Sequence, residues 1–104
     1  FGGALVLCVA AKDMVLALIA GHGADGGAGH VVEFAGEAVT ALDIEARMTL
    51  CNMATEFCAM TGLIAPDAMT FASLAGRPFA PASFDGPYWA SLVTDPGACF
   101  DSEI

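Results

Sequence analysis

The sequence predicts an α/β fold of layered helices and short strands. Three observations carry that expectation. Glycines punctuate the chain at intervals that suit element ends, aspartates stand immediately before two helix-forming runs, and short β-branched runs alternate with the longer helical ones. Asp13 to Ala20 reads as a helix ended by Gly21, and "GHGADGGAGH", with five glycines in ten residues, reads as a loop. Val31 to Phe34 suits a buried strand closed by Gly36, and Glu37 to Leu42 a short helical piece. Asp43 is placed to cap "IEARMTLCNMATEFCAM", a helix of four to five turns with Gly62 as its stop. "LIAP" reads as a brief buried strand, and Asp67 as the cap of "AMTFASLA", which Gly76 terminates. Pro78, Pro81 and Pro87 make "RPFAPASFDGP" an extended linker. "YWASL" supplies a last helical turn, and "TDPGACFDSEI" a turn leading to a final strand. Helices alternating with strands argue for packed α/β layers.

The 104 residues bound the chain to one domain at most. Hydrophobic residues make up 57% and charged residues 14%, with mean hydropathy +0.69, too few polar side chains to clothe a small globule. Part of the surface is therefore expected to be covered, and a start at Phe1 suits a segment of a longer polypeptide. The net charge of -9 would repel a phosphate backbone, which argues against nucleic-acid binding. Lys12 and Asp13 split the apolar run "FGGALVLCVAAKDMVLALIA" into pieces shorter than the roughly 20 residues of a membrane span. Without a basic n-region or a cleavage site, an export signal is not expected either.

Cys8, Cys51, Cys58 and Cys99 show no CxxC spacing, so a metal ligand set inside the chain is weakly supported. On a helix the Cα atoms of Cys51 and Cys58 would stand about 10.5 Å apart, beyond disulfide reach. Free thiols in a reducing cytoplasm are the expectation. The glycine loop suggests phosphate binding, but no GxxxxGK[ST] follows, and the order is helix, loop, strand, the reverse of a dinucleotide fingerprint. A turned connection explains it better. His22, Asp25 and His30 flank these glycines, which would hold no ligand geometry. Arg47 is expected in a structural ion pair with Glu45 or Asp43, and Glu33 as a buried or interface acid.

The stretch "ARMTLCNMATEF" holds the chain's only asparagine, Asn52, and Glu56 four residues on. On an α-helix that spacing puts both side chains on one face, roughly 5 to 6 Å apart at Cβ. An amide and a carboxylate could then aim at one target. Taken alone, the pair reads better as a solvated helix face, or as an asparagine satisfied by backbone.

Six blocks in register carry a resemblance: "AKDMVLALI", "GGAGHVVEFAGEAV", "ARMTLCNMATE", "GLIAPDAMTFASLAGRPFAP", "YWASL" and "TDPGACFD". From about Ala11 onward the chain resembles an internal segment of the aconitase superfamily, and within it the large subunit of 3-isopropylmalate dehydratases. Residues 1–10 have no counterpart in those blocks. The resemblance implies a single partial domain over 1–104 of aconitase-type α/β/α architecture. It also implies a hydro-lyase that interconverts 2-isopropylmalate and 3-isopropylmalate by dehydration and rehydration in leucine biosynthesis. The cofactor implied is a 4Fe-4S cluster with one open iron, its three cysteines coming from motifs this chain does not contain. The substrate implied is a small 2-hydroxy di-acid, and the partners are the remainder of the large subunit and a small subunit, in the cytoplasm. By the same resemblance Asn52 lies close to the cluster and Glu56 hydrogen-bonds iron-bound water or hydroxyl. The segment alone is expected to be inactive.

The chain departs from that family's pattern at Ala46 and Cys58, where glycine is usual, and at Met60, where a basic residue is usual. Three other readings stay open. They are an acidic interaction module without catalysis, a small-molecule binder using the glycine loop, and a homoaconitase or aconitase segment.

Overall fold

A computed structural model describes residues 1–81, 83 and 85–104, which divide into two compact units, 1–64 and 65–104. The first unit contains α1 (Ala11–His22), β1 (Val31–Glu33), α2 (Glu37–Thr40), α3 (Ile44–Met53), a 3-10 turn (Ala54–Phe57) and β2 (Thr61–Leu63). The mix of helices with short parallel strands bears out the α/β expectation.

In α1 the apolar residues Ala11, Met14 and Val15 are buried and Leu18 partly so, which is the i, i+3, i+4, i+7 stripe of a core-facing helix. Asp13 accepts from the Ala10 N–H at 2.8 Å, the one half of a capping box that a chain with alanine at the cap can make. The helix passes through Gly21 and stops at Gly23, two residues later than expected, because the φ of 85° needed to leave the helix falls there.

β1 and β2 are parallel, paired Val31 with Thr61, Val32 with Gly62 and Glu33 with Leu63. A parallel pair needs a long crossover, here supplied by α2, α3 and the 3-10 turn. The pairing continues past β1, where Phe34 N–H donates to Leu63 at 2.9 Å. Gly62 is therefore a strand residue and not the expected helix stop. A Cβ on it would lie 3.0 Å from Ala54 Cβ, from Cys51 Cα and from the Phe34 ring, so its bareness lets α3 and the 3-10 turn lie directly on β2. "LIAP" contributes only Leu63 to this strand.

Asp43 caps α3 as expected, its carboxylate accepting from Ala46 N–H at 2.8 Å. The core gathers Met14, Val15, Phe34, Ala38, Val39, Leu42, Leu50 and Ala54, with Leu50 and Ala54 0% exposed. Arg47, expected as an ion-pair residue, is buried among them at 5% exposure. Its Nε donates to Leu42 O at 3.1 Å and its Nη2 to Thr40 O at 2.9 Å. The guanidinium thus serves carbonyls that the end of α2 leaves without intrahelical partners.

The long helix expected from Ile44 to Met60 is shorter. α-Helical geometry ends at Met53, tightens into the 3-10 turn, and terminates at Cys58, whose φ of 61° is left-handed. A side chain in that region is disfavoured by roughly 1–2 kcal/mol. Cys58→Gly is therefore expected to raise the stability of the unit by about 1 kcal/mol, read as a rise in the urea midpoint with unchanged slope.

In the second unit, α4 (Ala68–Leu74) and α5 (Gly86–Ala90) are each capped by an aspartate. Asp67 Oδ1 accepts from Met69 and Thr70 N–H while Asp67 N–H donates to Thr70 Oγ1, and Asp85 Oδ1 accepts from Tyr88 N–H. The rings of Phe71 and Trp89 meet at 6.2 Å between centroids, tilted by 45°. No described residue of this unit is buried. Part of the linker expected over 77–87, positions 82 and 84, lies outside the described residues. Residues 95–98 form the expected turn, with Ala98 N–H donating to Asp95 O, but among the described residues no strand follows. A lone extended segment with no neighbour to hydrogen-bond has nothing to make it a strand.

Candidate functional site

The α3 and 3-10 segment has an inner and an outer face. Leu50, Ala54 and Phe57 are buried at i, i+4 and i+7, while Met48, Asn52, Thr55 and Glu56 are exposed. Asn52 and Glu56 thus both stand on the outer side. Their spacing differs from that of a continuous α-helix. Four α-helical steps leave two side chains roughly 40° apart around the axis, and replacing the last two by 3-10 steps opens this to roughly 80°. Thr55 Oγ1 donates to Asn52 O at 2.9 Å, tying the turn to the last α-helical residues.

Chemically the pair offers an amide that can donate and accept, and a carboxylate that accepts hydrogen bonds or takes a proton. A shallow hollow lies elsewhere, lined by Gly3, Leu5, Glu37, Ala38, Ala41 and Leu42. Glu33, ambiguous from its position in β1, is partly buried. His22, Asp25 and His30 are exposed, and His30 Nδ1 lies 2.9 Å from Ala28 O.

What sequence reading passed over is the relation between the glycine loop and the turn carrying Glu56. Gly27 N–H donates to Phe57 O at 2.9 Å and Met60 N–H to His30 O at 2.8 Å, so residues 26–30 are laced to residues 57–60. Phe57, treated only as part of a helix-forming run, is buried at 3% exposure. The available signal was an aromatic seven residues after Leu50, on the inner stripe of the run.

Cys8, Cys58 and Cys99 are exposed and Cys51 is partly buried. Burial pushes the Cys51 thiol above its ordinary value, the wrong direction for a metal-binding thiolate. Among the described residues no three His, Cys, Asp or Glu side chains come together as a metal site, so they do not fit a ligand set for an iron-sulfur cluster. No helix among the described residues is long and apolar enough to cross a membrane.

A parallel strand pair backed by helices, with an amide and a carboxylate exposed on the segment that crosses between the strands, defines a partial α/β domain. The aconitase family (aconitate hydratase) matches over residues 1–104, and the chain belongs to that family. The match takes in residues 1–10 as well as the blocks that follow. Membership places the chain among hydro-lyases whose members generally carry a 4Fe-4S cluster.

Proposed function

We propose that this chain is the segment of a 3-isopropylmalate dehydratase-like hydro-lyase that brings Asn52 and Glu56 to a small 2-hydroxy di-acid in leucine biosynthesis. The observation that carries the reading is the exposure of both side chains, within one turn of each other along the same segment, in a chain of the aconitase family. In this role the Glu56 carboxyl gives its proton to the departing hydroxyl, which leaves as water, and takes a proton back from the water that adds, while the Asn52 amide donates to a substrate carboxylate and fixes its orientation. Cluster ligands and the remaining substrate contacts come from the rest of the large subunit and from a small subunit, in the cytoplasm. The lack of a buried residue among those described in 65–104, with Phe79, Tyr88 and Phe100 open to solvent, suits a segment completed by further protein.

The reading is tested by comparing the 104-residue chain with the complete polypeptide and its small subunit, each supplied with iron and sulfide. The chain alone is expected to develop no iron-sulfur absorbance and to leave 2-isopropylmalate unchanged, whereas the complete enzyme turns it over. Turnover by the isolated chain would overturn the division of labour. Activity of the complete enzyme on homocitrate or citrate, with none on 2-isopropylmalate, would move the assignment to homoaconitase or aconitase.

A further inference from the structure

The glycine loop between α1 and β1 binds nothing in the reading above, yet it is packed with more constraint than a connection requires. Successive turns order it, with Gly26 N–H donating to Gly23 O at 3.2 Å, Ala28 N–H to Asp25 O at 3.0 Å and His30 N–H to Gly27 O at 3.0 Å. Its two adjacent glycines face one ring. A Cβ on Gly26 would lie 2.5 Å from Phe57 Cε2, 2.6 Å from Cζ and 3.0 Å from the His22 carbonyl oxygen. A Cβ on Gly27 would lie 2.9 Å from Phe57 Cδ1 and 2.9 Å from Phe57 O. Neither fits unless Phe57 moves, and Phe57 at 3% exposure has little room.

We infer that Gly26 and Gly27 are positioning residues for Glu56, acting through Phe57. Glu56 is exposed, so its own side chain contributes little to fixing its place. Its backbone is held instead by buried neighbours on both sides, Ala54 against Gly62 and Phe57 against the glycine pair. The Gly27 hydrogen bond to Phe57 O fixes the main chain one residue after Glu56. Displacing the ring therefore drags the turn and re-aims the carboxylate. Shifts on the order of 1 Å in a reacting group are enough to reduce turnover by about 100-fold. The inference rests on the proposed role of Glu56, and the test separates the two.

In the complete enzyme, Gly26→Ala is expected to lower kcat by about 10- to 100-fold with a much smaller change in KM. Phe57→Leu removes the two nearest atoms that the new methyl meets, Cε2 and Cζ, and leaves the His22 carbonyl at 3.0 Å, so the Gly26→Ala/Phe57→Leu double variant should recover a substantial part of the loss. Gly27→Ala should not be rescued this way, because its methyl also meets the Phe57 carbonyl, which leucine retains. The Gly27 amide proton should exchange with solvent faster in Gly26→Ala and return toward the parent rate in the double variant.

A second cycle asks whether the effect runs through the carboxylate. In a Glu56→Gln background, Gly26→Ala should lower kcat hardly further, whereas a loss that only loosened the fold would multiply. Full multiplication of the two losses, or no rescue by Phe57→Leu, overturns the positioning role while leaving Glu56 in place. An undiminished kcat in Glu56→Gln alone instead overturns the proposed role of Glu56, and the positioning role with it. If Gly26→Ala does not fold, the double variant decides: a folded double supports the seat and an unfolded one overturns it.

Discussion

Glu56→Gln in the complete enzyme is expected to lower kcat by about 10²- to 10⁴-fold with KM nearly unchanged, the range for loss of a positioned proton-transfer group. Glutamine keeps the length and an acceptor oxygen, so the substrate is still held, but the amide can neither protonate the departing hydroxyl nor take a proton from the water that adds. The expected result is thus a fall in kcat and kcat/KM together, the pattern of an interaction realised in the transition state. Asn52→Ala should behave differently, raising KM along with a smaller fall in kcat, since an amide that orients a carboxylate acts on the bound ground state too. Steady-state rates on 2-isopropylmalate for both variants check the assignment. A Glu56→Gln enzyme with parental kcat would remove the chemical role from this side chain.

The largest effect on stability is expected at Leu50→Ala. Leu50 is fully buried where α3 meets the core, with Met14, Val15, Val39 and Ala54 in the same cluster. Truncation removes transfer free energy and leaves a void that close-packed neighbours fill only in part, so a loss of about 2–5 kcal/mol is expected. Against the roughly 5–15 kcal/mol of a whole domain this is a large fraction. Met48→Ala, two residues earlier on the outer face, should change stability by no more than about 0.5 kcal/mol. Urea denaturation of the two variants, with unchanged slope, makes the comparison. Equal midpoints would mean that the inner and outer faces of α3 are misassigned.

Where the sequence reading succeeded, local chemistry was sufficient. Asp43 and Asp67 were legible as caps because an aspartate before an apolar helical run serves the same free N–H groups wherever the helix packs. The alternation of helices with β-branched runs gave the α/β class. The end of α3 was not legible. Glycine at 62 looked like a stop, yet the chain leaves helical geometry at Cys58, a residue that local preference would not choose for a left-handed φ. Gly62 serves packing instead, letting the turn rest on β2, and that need arises only once Phe34, Cys51 and Ala54 are brought beside it. For Arg47 the local sequence did not foretell burial: the fold carries its guanidinium inward, where it donates to the Leu42 and Thr40 carbonyls.

Of the candidate site, the sequence by itself determined the chemical pair, an amide and a carboxylate four residues apart, and the kinship of the blocks around it, because both reside in residue type and spacing. Only the tertiary structure decided that the carboxylate sits on a 3-10 turn and that the glycine loop forms the seat of Phe57. The physical reason is range. Caps and helical faces are fixed by neighbours within one turn, whereas the pitch of the turn and the bareness of the glycines answer to side chains that are distant along the chain and adjacent in space.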